Sequence, residues 1–504
     1  MKAFLLFPDR DLDFERPLPW NAPSLAADLA LPTLFAAMSA GDKFVFDVSS
    51  KVVFAGVPDS SVIAYRQAIL MDCIKNRETI TDLYAMLVES DEGYRRHFWI
   101  GRSPSSTLWG SVGLLEYFAG ALKRLRTFAD RCATAFESEG FRTLFAMLQR
   151  ELSDDYFLLV QRHLKQLKFK NGVVVSAHLG EGNQGTNYVL RRSTKPDKTW
   201  FERLFAQGPE EYSFELHPRD EAGARALATL RDRGVNLVGN AAAQSSDHIV
   251  SFFKLLRAEV AFYIGCMNLH RRLVNKGLPV AFPAPLPIGE RGHVFAGLYD
   301  VSLALTLDAP IIGNDLSASN SDVTIITGAN RGGKSVFLRS IGLAQMMMQC
   351  GMFVAAESFS ANVCSGIFTH YKREEDRSME SGKFDEEIGR FSEIADHIGP
   401  NALVLFNESF AATNDREGSE IARQIVSALI ERRIKVLFVT HLYDFARSLW
   451  ENNVGNPTFL RAERQPDGSR TFKLVEARPL ETSYGEDLYQ QIFEGGGSRM
   501  ERSA

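Results

Sequence analysis

The stretch TIITGANRGGKSVFLRS, from Thr324 to Ser340, constrains this chain more tightly than any other part of it. Residues Gly328, Ala329, Asn330, Arg331, Gly332, Gly333, Lys334 and Ser335 fit the pattern G-x-x-x-x-G-K-[ST]. An apolar run precedes them and an amphipathic run beginning at Val336 follows, so the spacing predicts a strand, a tight loop and a helix. Glycines in such a loop let backbone N–H groups approach phosphate oxygens, and the helix adds its positive end. Lys334 then reaches the terminal phosphates, and Ser335 offers its hydroxyl to a magnesium ion. The expected cofactors are therefore ATP and Mg2+.

The same region carries further strands. The runs DVTIIT, NALVLF and IKVLFVT alternate with helical segments, the pattern of a mostly parallel sheet with helices on both faces. In ALVLFNES an apolar strand ends in polar residues at the sheet's carboxyl edge, where a magnesium contact and a water-activating base belong. Glu408 is the candidate base. Asn407, expected to face magnesium through water, stands where an Asp usually does and brings an amide oxygen without a charge. His441 follows a third strand at the same edge and is placed to sense the terminal phosphate or orient water. The candidate catalytic residues are thus Lys334, Glu408 and His441.

The amino-terminal half reads differently. From about residue 24 to 150 apolar residues recur at three- and four-residue spacing, which predicts a helical body. Between residues 161 and 205 two strand-like runs flank a Gly- and Asn-rich turn, and nine basic residues stand against three acidic ones. Lys165, Lys168, Arg191 and Arg192 are the candidates for nucleic-acid phosphate contact, against the plainer reading of a solvated hairpin. Helical periodicity returns after residue 246 and gives way near Pro279 to a Pro-rich boundary. The chain as a whole has a net charge of -5, so any such contact is local. Five dispersed cysteines with no Cys-x-x-Cys pair disfavour a disulfide framework or zinc site and suit a reducing cytoplasm. No apolar run approaches membrane-spanning length, and no membrane role is expected.

Several blocks in order resemble the MutS family of DNA mismatch-repair ATPases: IIGNDLSAS with Asn314, the glycine loop, FVAAES with IFTH, SGK at Ser381 to Lys383, the NALVLFNES strand, THLYDF at Thr440 to Phe445, and SYG at Ser483 to Gly485. The resemblance implies a multidomain chain with an α-helical core and lever bundle, a small inserted clamp-like segment and an ABC-like α/β P-loop ATPase domain. The corresponding boundaries are 1–160 for the helical core and lever, 161–235 for the basic clamp-like hairpin, 236–290 for returning lever helices, 291–490 for the ATPase domain and 491–504 for a disordered tail. It also implies a homodimer in which Ser381 and Gly382 complete the partner's nucleotide site in trans, with Asn314 beside the base.

Departures from the family pattern refine this. No Phe-x-Glu occurs before Phe384, so direct mismatch reading is not expected. The usual Asp-Glu-x-Gly-Arg-Gly becomes Asn407-Glu408-Ser409-Phe410-Ala411-Ala412, which implies slow hydrolysis. The expected function is a DNA-associated ATPase clamp serving repair or recombination, with repair proteins as further partners. The alternative is an ATP-driven protein-interaction switch that does not touch DNA.

Overall fold

The computed structural model describes residues 1–97, 103–170, 172–192, 212–373, 382–465 and 468–481. Contacts divide the chain into two units, one of residues 1–3, 81–136 and 141–257, the other of residues 4–80, 137–140 and 258–504. The expected combination of helical and α/β parts is what the described residues contain.

The second unit begins with four helices, α1 (Ala22–Asp28), α2 (Leu31–Ser39), α3 (Lys43–Phe54) and α4 (Ser60–Lys75). Asp42 and Asp59 set the starts of α3 and α4 by accepting hydrogen bonds from N–H groups of the first turn, each cap stabilising by about 1 kcal/mol. Their apolar faces, among them Leu34, Met38, Val48, Ile63 and Leu70, are wholly buried.

The first unit takes in α5 (Arg77–His97) from residue 81, α6 (Pro104–Cys132), α7 (Glu139–Glu151) from residue 141, α8 (Asp154–Leu167), a hairpin and the first part of α9 (Glu221–Asn275). Ser103 and Ser106 form a reciprocal capping box at the start of α6, with Pro104 in the first turn. Leu108 and Val112 of α6, Leu164 of α8 and Val235 and Ala242 of α9 form one buried cluster. Against it pack Phe169, Val173 and Leu190 at the base of the hairpin. Strands β1 (Val174–Leu179) and β2 (Gly185–Arg191) are antiparallel, with Val174 opposite Arg191 and Leu179 opposite Gly185. The far end stands in water, where Leu179 is 77% exposed. Arg257 and Asp91, an ion pair at 2.6 Å with both side chains 13% exposed, join α9 to α5 within this unit.

After α9 the second unit builds two sheets. A four-stranded sheet has the order β3 (Ala284–Leu286), β7 (Ser358–Asn362), β4 (Gly292–Leu298), β5 (Asn314–Ser319). The larger sheet has the order β12 (Arg470–Glu476), β11 (Thr458–Arg464), β6 (Val323–Gly328), β10 (Lys435–Val439), β9 (Leu403–Asn407), β8 (Ile367–Tyr371). All neighbours in it are parallel except β12 with β11. The helices of this region are α10 (Val301–Thr306), α11 (Lys334–Gln349), α12 (Lys383–His397), α13 (Asp415–Glu431) and α14 (Tyr443–Asn452). β6, β9 and β10 are buried along nearly their whole length, which is why they read as unbroken apolar runs. Lys435 links the sheets: its buried Nζ donates to Gly292 O and to Asn362 Oδ1.

One buried carboxylate fastens the amino-terminal segment to this unit. Glu259 of α9 accepts from Leu5 N at 2.6 Å and from Leu12 N at 3.3 Å, while Arg66 donates to Leu6 O and Tyr263 to Leu5 O. Burial is the main reason its carboxyl is pushed up to about 7, with the backbone donors opposing the shift. A folded-state value above the ordinary 4.5 means the folded chain holds a proton that the unfolded chain has released. This contribution is therefore full below pH 4.5 and is lost as pH rises through about 7. Urea unfolding from pH 4.5 to 8 is expected to show wild type losing about 1.4 kcal/mol per pH unit relative to Glu259→Gln up to the upper value, then a constant difference. Parallel curves over the whole range would contradict it.

Candidate active site

β6 is buried among parallel neighbours and ends at Gly328, so the loop after it emerges at the sheet's carboxyl edge. Two glycines are needed for its shape. Gly328 has φ 107°, and a Cβ there would lie 2.8 Å from Ala462 N; Gly333, with φ 87°, is the left-handed residue from which α11 starts. Arg331 takes φ 59° between them. Lys334 folds back into the loop, and its Nζ donates to Gly328 O and Ala329 O, both at 3.0 Å. Burial, followed by Arg470, lowers its ammonium to about 8, against the opposing pull of Glu408. The loop thus holds a largely desolvated cation beside a helix amino terminus, a pairing that favours a polyanion.

The other predicted residues converge on the same edge. Ser335 Oγ donates to Asn407 Oδ1 at 2.8 Å, joining the first turn of α11 to the end of β9. Glu408 follows, with its N–H on Val439 O of β10 and its Oε1 3.2 Å from His441 Nε2. Its carboxyl is held below the usual range by the His441 hydrogen bond first, then by the charges of His441, Lys334 and Lys372, while burial opposes them. Glu408 has φ 54° and Phe410 φ 62°, so the turn after β9 carries two left-handed residues that are not glycine.

Two cavities share this edge. One, of about 530 Å3, is lined by the residues from Asn330 to Phe337 and walled by Tyr299, Leu303, Ile312 and Phe472. It combines polar loop and apolar wall, as a phosphate-bearing ring system requires. Asn314 lines it too, yet its amide is engaged with β12: Nδ2 donates to Phe472 O at 3.2 Å and Oδ1 accepts from Leu474 N at 2.8 Å. The second cavity, of about 630 Å3, shares Ser335 and Glu408 and adds Lys372, Arg373, Lys383 and Arg390. Sequence reading did not bring these four cations and the Phe472 wall together, since Lys372 and Arg373 follow β8, Lys383 and Arg390 lie on α12, Phe472 lies on β12, and no spacing links the three elements. No cluster of three or more His, Cys, Asp or Glu side chains suited to a metal occurs among the described residues. Ser335 Oγ and Asn407 Oδ1 are nevertheless two hard oxygen donors at hydrogen-bond distance from each other, which suits magnesium held mainly by phosphate and water.

Of the residues expected to act in trans, Ser381 lies outside the described residues, and Gly382 is the residue from which α12 starts. In the other unit, Lys165 is exposed on α8 and Lys168 ends that helix, paired with Glu116 at 2.6 Å. Arg191 closes β2 with its Nε on Ser176 Oγ at 2.9 Å, and Arg192 follows, exposed.

Residues 58–276 match the family model described as the MutS2 N-terminal domain, and residues 324–492 match MutS domain V. Similar proteins include MutS protein homolog 4 of Mus musculus, 30% identical over 197 residues, which is 38% of this chain and 20% of that protein. The DNA mismatch repair protein MutS of Porphyromonas gingivalis is 35% identical over 199 residues, 38% of this chain and 20% of that protein. The MutS of Thermus aquaticus is 30% identical over 234 residues, 46% of this chain and 28% of that protein. The matched region thus spans between a fifth and just over a quarter of the length of these relatives. The two models follow one another along the chain, and the relatives carry the same family name: the chain belongs to the MutS family.

Proposed function

We propose that this chain is an ATPase whose nucleotide site is completed by a second copy of itself, and that it uses ATP to open and close a clamp on DNA. The observation that carries the ATPase reading is the convergence of Lys334, Ser335, Asn407, Glu408 and His441 at one sheet edge. In this reading the N–H groups of residues 328 to 336 cradle the phosphates, and Lys334 gives up its carbonyl partners for phosphate oxygens. Ser335, and Asn407 through water, would hold magnesium, which supplies charge neutralisation on the phosphates. Glu408 accepts the proton of the attacking water, and His441 fixes the carboxylate that does so. Ser381 and Gly382 act on the partner's nucleotide. Asn314 supports the wall beside the base through its hold on Phe472.

The DNA part rests on the family and on the basic hairpin region, with α9 as the continuous lever between hairpin and ATPase region. Relatives named as mismatch repair proteins support a role in repair or recombination, here without direct reading of mismatches. A second reading, a protein-interaction switch, is favoured by a specific observation: Lys168 and Arg191 already have partners in Glu116 and Ser176.

Three outcomes test these assignments. Lys334→Ala is expected to abolish nucleotide binding in calorimetry, whereas Glu408→Ala keeps binding and lowers phosphate release by about a hundredfold or more; undiminished turnover in the second would assign the base elsewhere. Asn407→Asp adds the missing charge and is expected to lower the magnesium concentration for half-maximal turnover by about tenfold. Reversing the charges of Lys165, Lys168, Arg191 and Arg192 together is expected to remove salt-sensitive DNA binding while ATP turnover persists. Wild-type protein that binds no DNA at low salt, with or without ATP, would leave the protein-switch reading.

A further inference from the structure

We propose that Glu387, on α12, is the positioning residue that holds Glu408 in place, acting through the left-handed turn at Phe410; this rests on the reading of Glu408 as the base of an ATPase. The turn after β9 is gripped from three sides. From α12, the buried carboxylate of Glu387 accepts from Phe410 N at 2.6 Å. From β8, the buried His370 meets Ser409 Oγ at 2.7 Å through Nδ1, and its Nε2 donates to Glu387 O at 3.0 Å. From α13, Gly418 admits the Phe410 carbonyl so closely that a Cβ there would stand 2.3 Å from the oxygen.

The ring of Phe410 is wholly buried, with centroids 5.4 Å from His370 and 5.9 Å from both Phe391 and Phe406. That cage anchors the side chain, but the backbone reversal that turns Glu408 toward His441 and Ser335 needs an acceptor for the Phe410 N–H. Glu387 supplies it. Its Oε2 makes no hydrogen bond among the described residues, and burial raises its carboxyl above the ordinary value against the opposing pull of the Phe410 N–H and the charge of Arg390. Oε1 is thus committed to the turn, while the residue also lines the second cavity. Because α12 begins at Lys383, directly after Gly382, a shift of its first turns moves Glu387 and releases Phe410. Contact at the start of α12 is thereby linked to the placement of the base at Glu408, well beyond the end of that helix.

Two complementary substitutions in the full chain separate reach from charge. Glu387→Asp keeps the charge and withdraws the acceptor by one methylene; Glu387→Gln keeps the reach and removes the charge. The first is expected to lower kcat about tenfold with the Kd for ATP within about twofold of wild type, and the second to keep kcat within about threefold. A wild-type kcat in Glu387→Asp, or a collapse in Glu387→Gln, overturns the positioning role, the latter pattern being that of a residue whose charge takes part in the reaction. A wild-type chain without ATP turnover overturns the ATPase reading itself and this inference with it, so the two failures are told apart by the unmutated protein.

Discussion

The parallel register of β6, β10 and β9 is the constraint on which the site depends. Val439 of β10 stands opposite Ile326 of β6 on one side and Asn407 of β9 on the other. β9 and β10 therefore finish at one level and β6 two residues further, and the residues beyond them, Lys334 and Ser335, Glu408, and His441, meet at that edge. A slip of one residue would turn every buried side chain of a strand to the opposite face. A slip of two would preserve the faces but carry Asn407 about 7 Å along the sheet, well beyond the 2.8 Å bond to Ser335. Burial on both faces of these strands is what forbids either slip, so the apolar core and the polar edge are specified together.

Beyond that edge, packing and backbone strain oppose each other. A residue other than glycine in the left-handed region costs about 1–3 kcal/mol, and both Glu408 and Phe410 take that conformation. Burying one Phe side chain completely returns about 1.5–3 kcal/mol. The two magnitudes are comparable, so the ring of Phe410 roughly offsets its own backbone but leaves the strain at Glu408 uncompensated. The remaining stabilisation must come from hydrogen bonds to the turn, which are made by Glu387, His370 and Val439. A glycine at position 410 would remove one strain and lose the aromatic cage with it.

Legibility followed locality. The glycine loop, its strand and its helix are consecutive from Val323 to Gln349, and the spacing of Gly328, Gly333, Lys334 and Ser335 specified their arrangement. Glu408 and His441 were legible because each ends an apolar run, and parallel strands bring such ends together. The hairpin was legible from its turn residues, although Lys195, Lys198 and Arg203 of its basic set lie outside the described residues. What could not be read was composed in space. Glu387 looks like one carboxylate of a solvated charged helix, yet it is buried against a turn some twenty residues away. Phe472 and Asn314 come from strands of different sheets, and their meeting depends on how those sheets pack, which no periodicity encodes.

The charges at the edge indicate which property of Glu408 matters. Lys334 is lowered by burial, while Glu408 is held below its ordinary range chiefly by its bond to His441. Asn407 adds no negative charge, and the cations lining the cavity beside Ser335, which are Lys372, Arg373, Lys383 and Arg390, outnumber its carboxylates Glu386, Glu387 and Glu408. A carboxylate held ionised in this way is always ready to accept a proton but is a weak base, and proton affinity alone gives it little advantage over water. In the proposed ATPase its leverage then lies in distance and angle to the attacking oxygen, where an error of about 1 Å costs on the order of a hundredfold in rate. A site of this electrostatic character depends more on how the turn at residues 408 to 412 is held than on the pKa of the residue it carries.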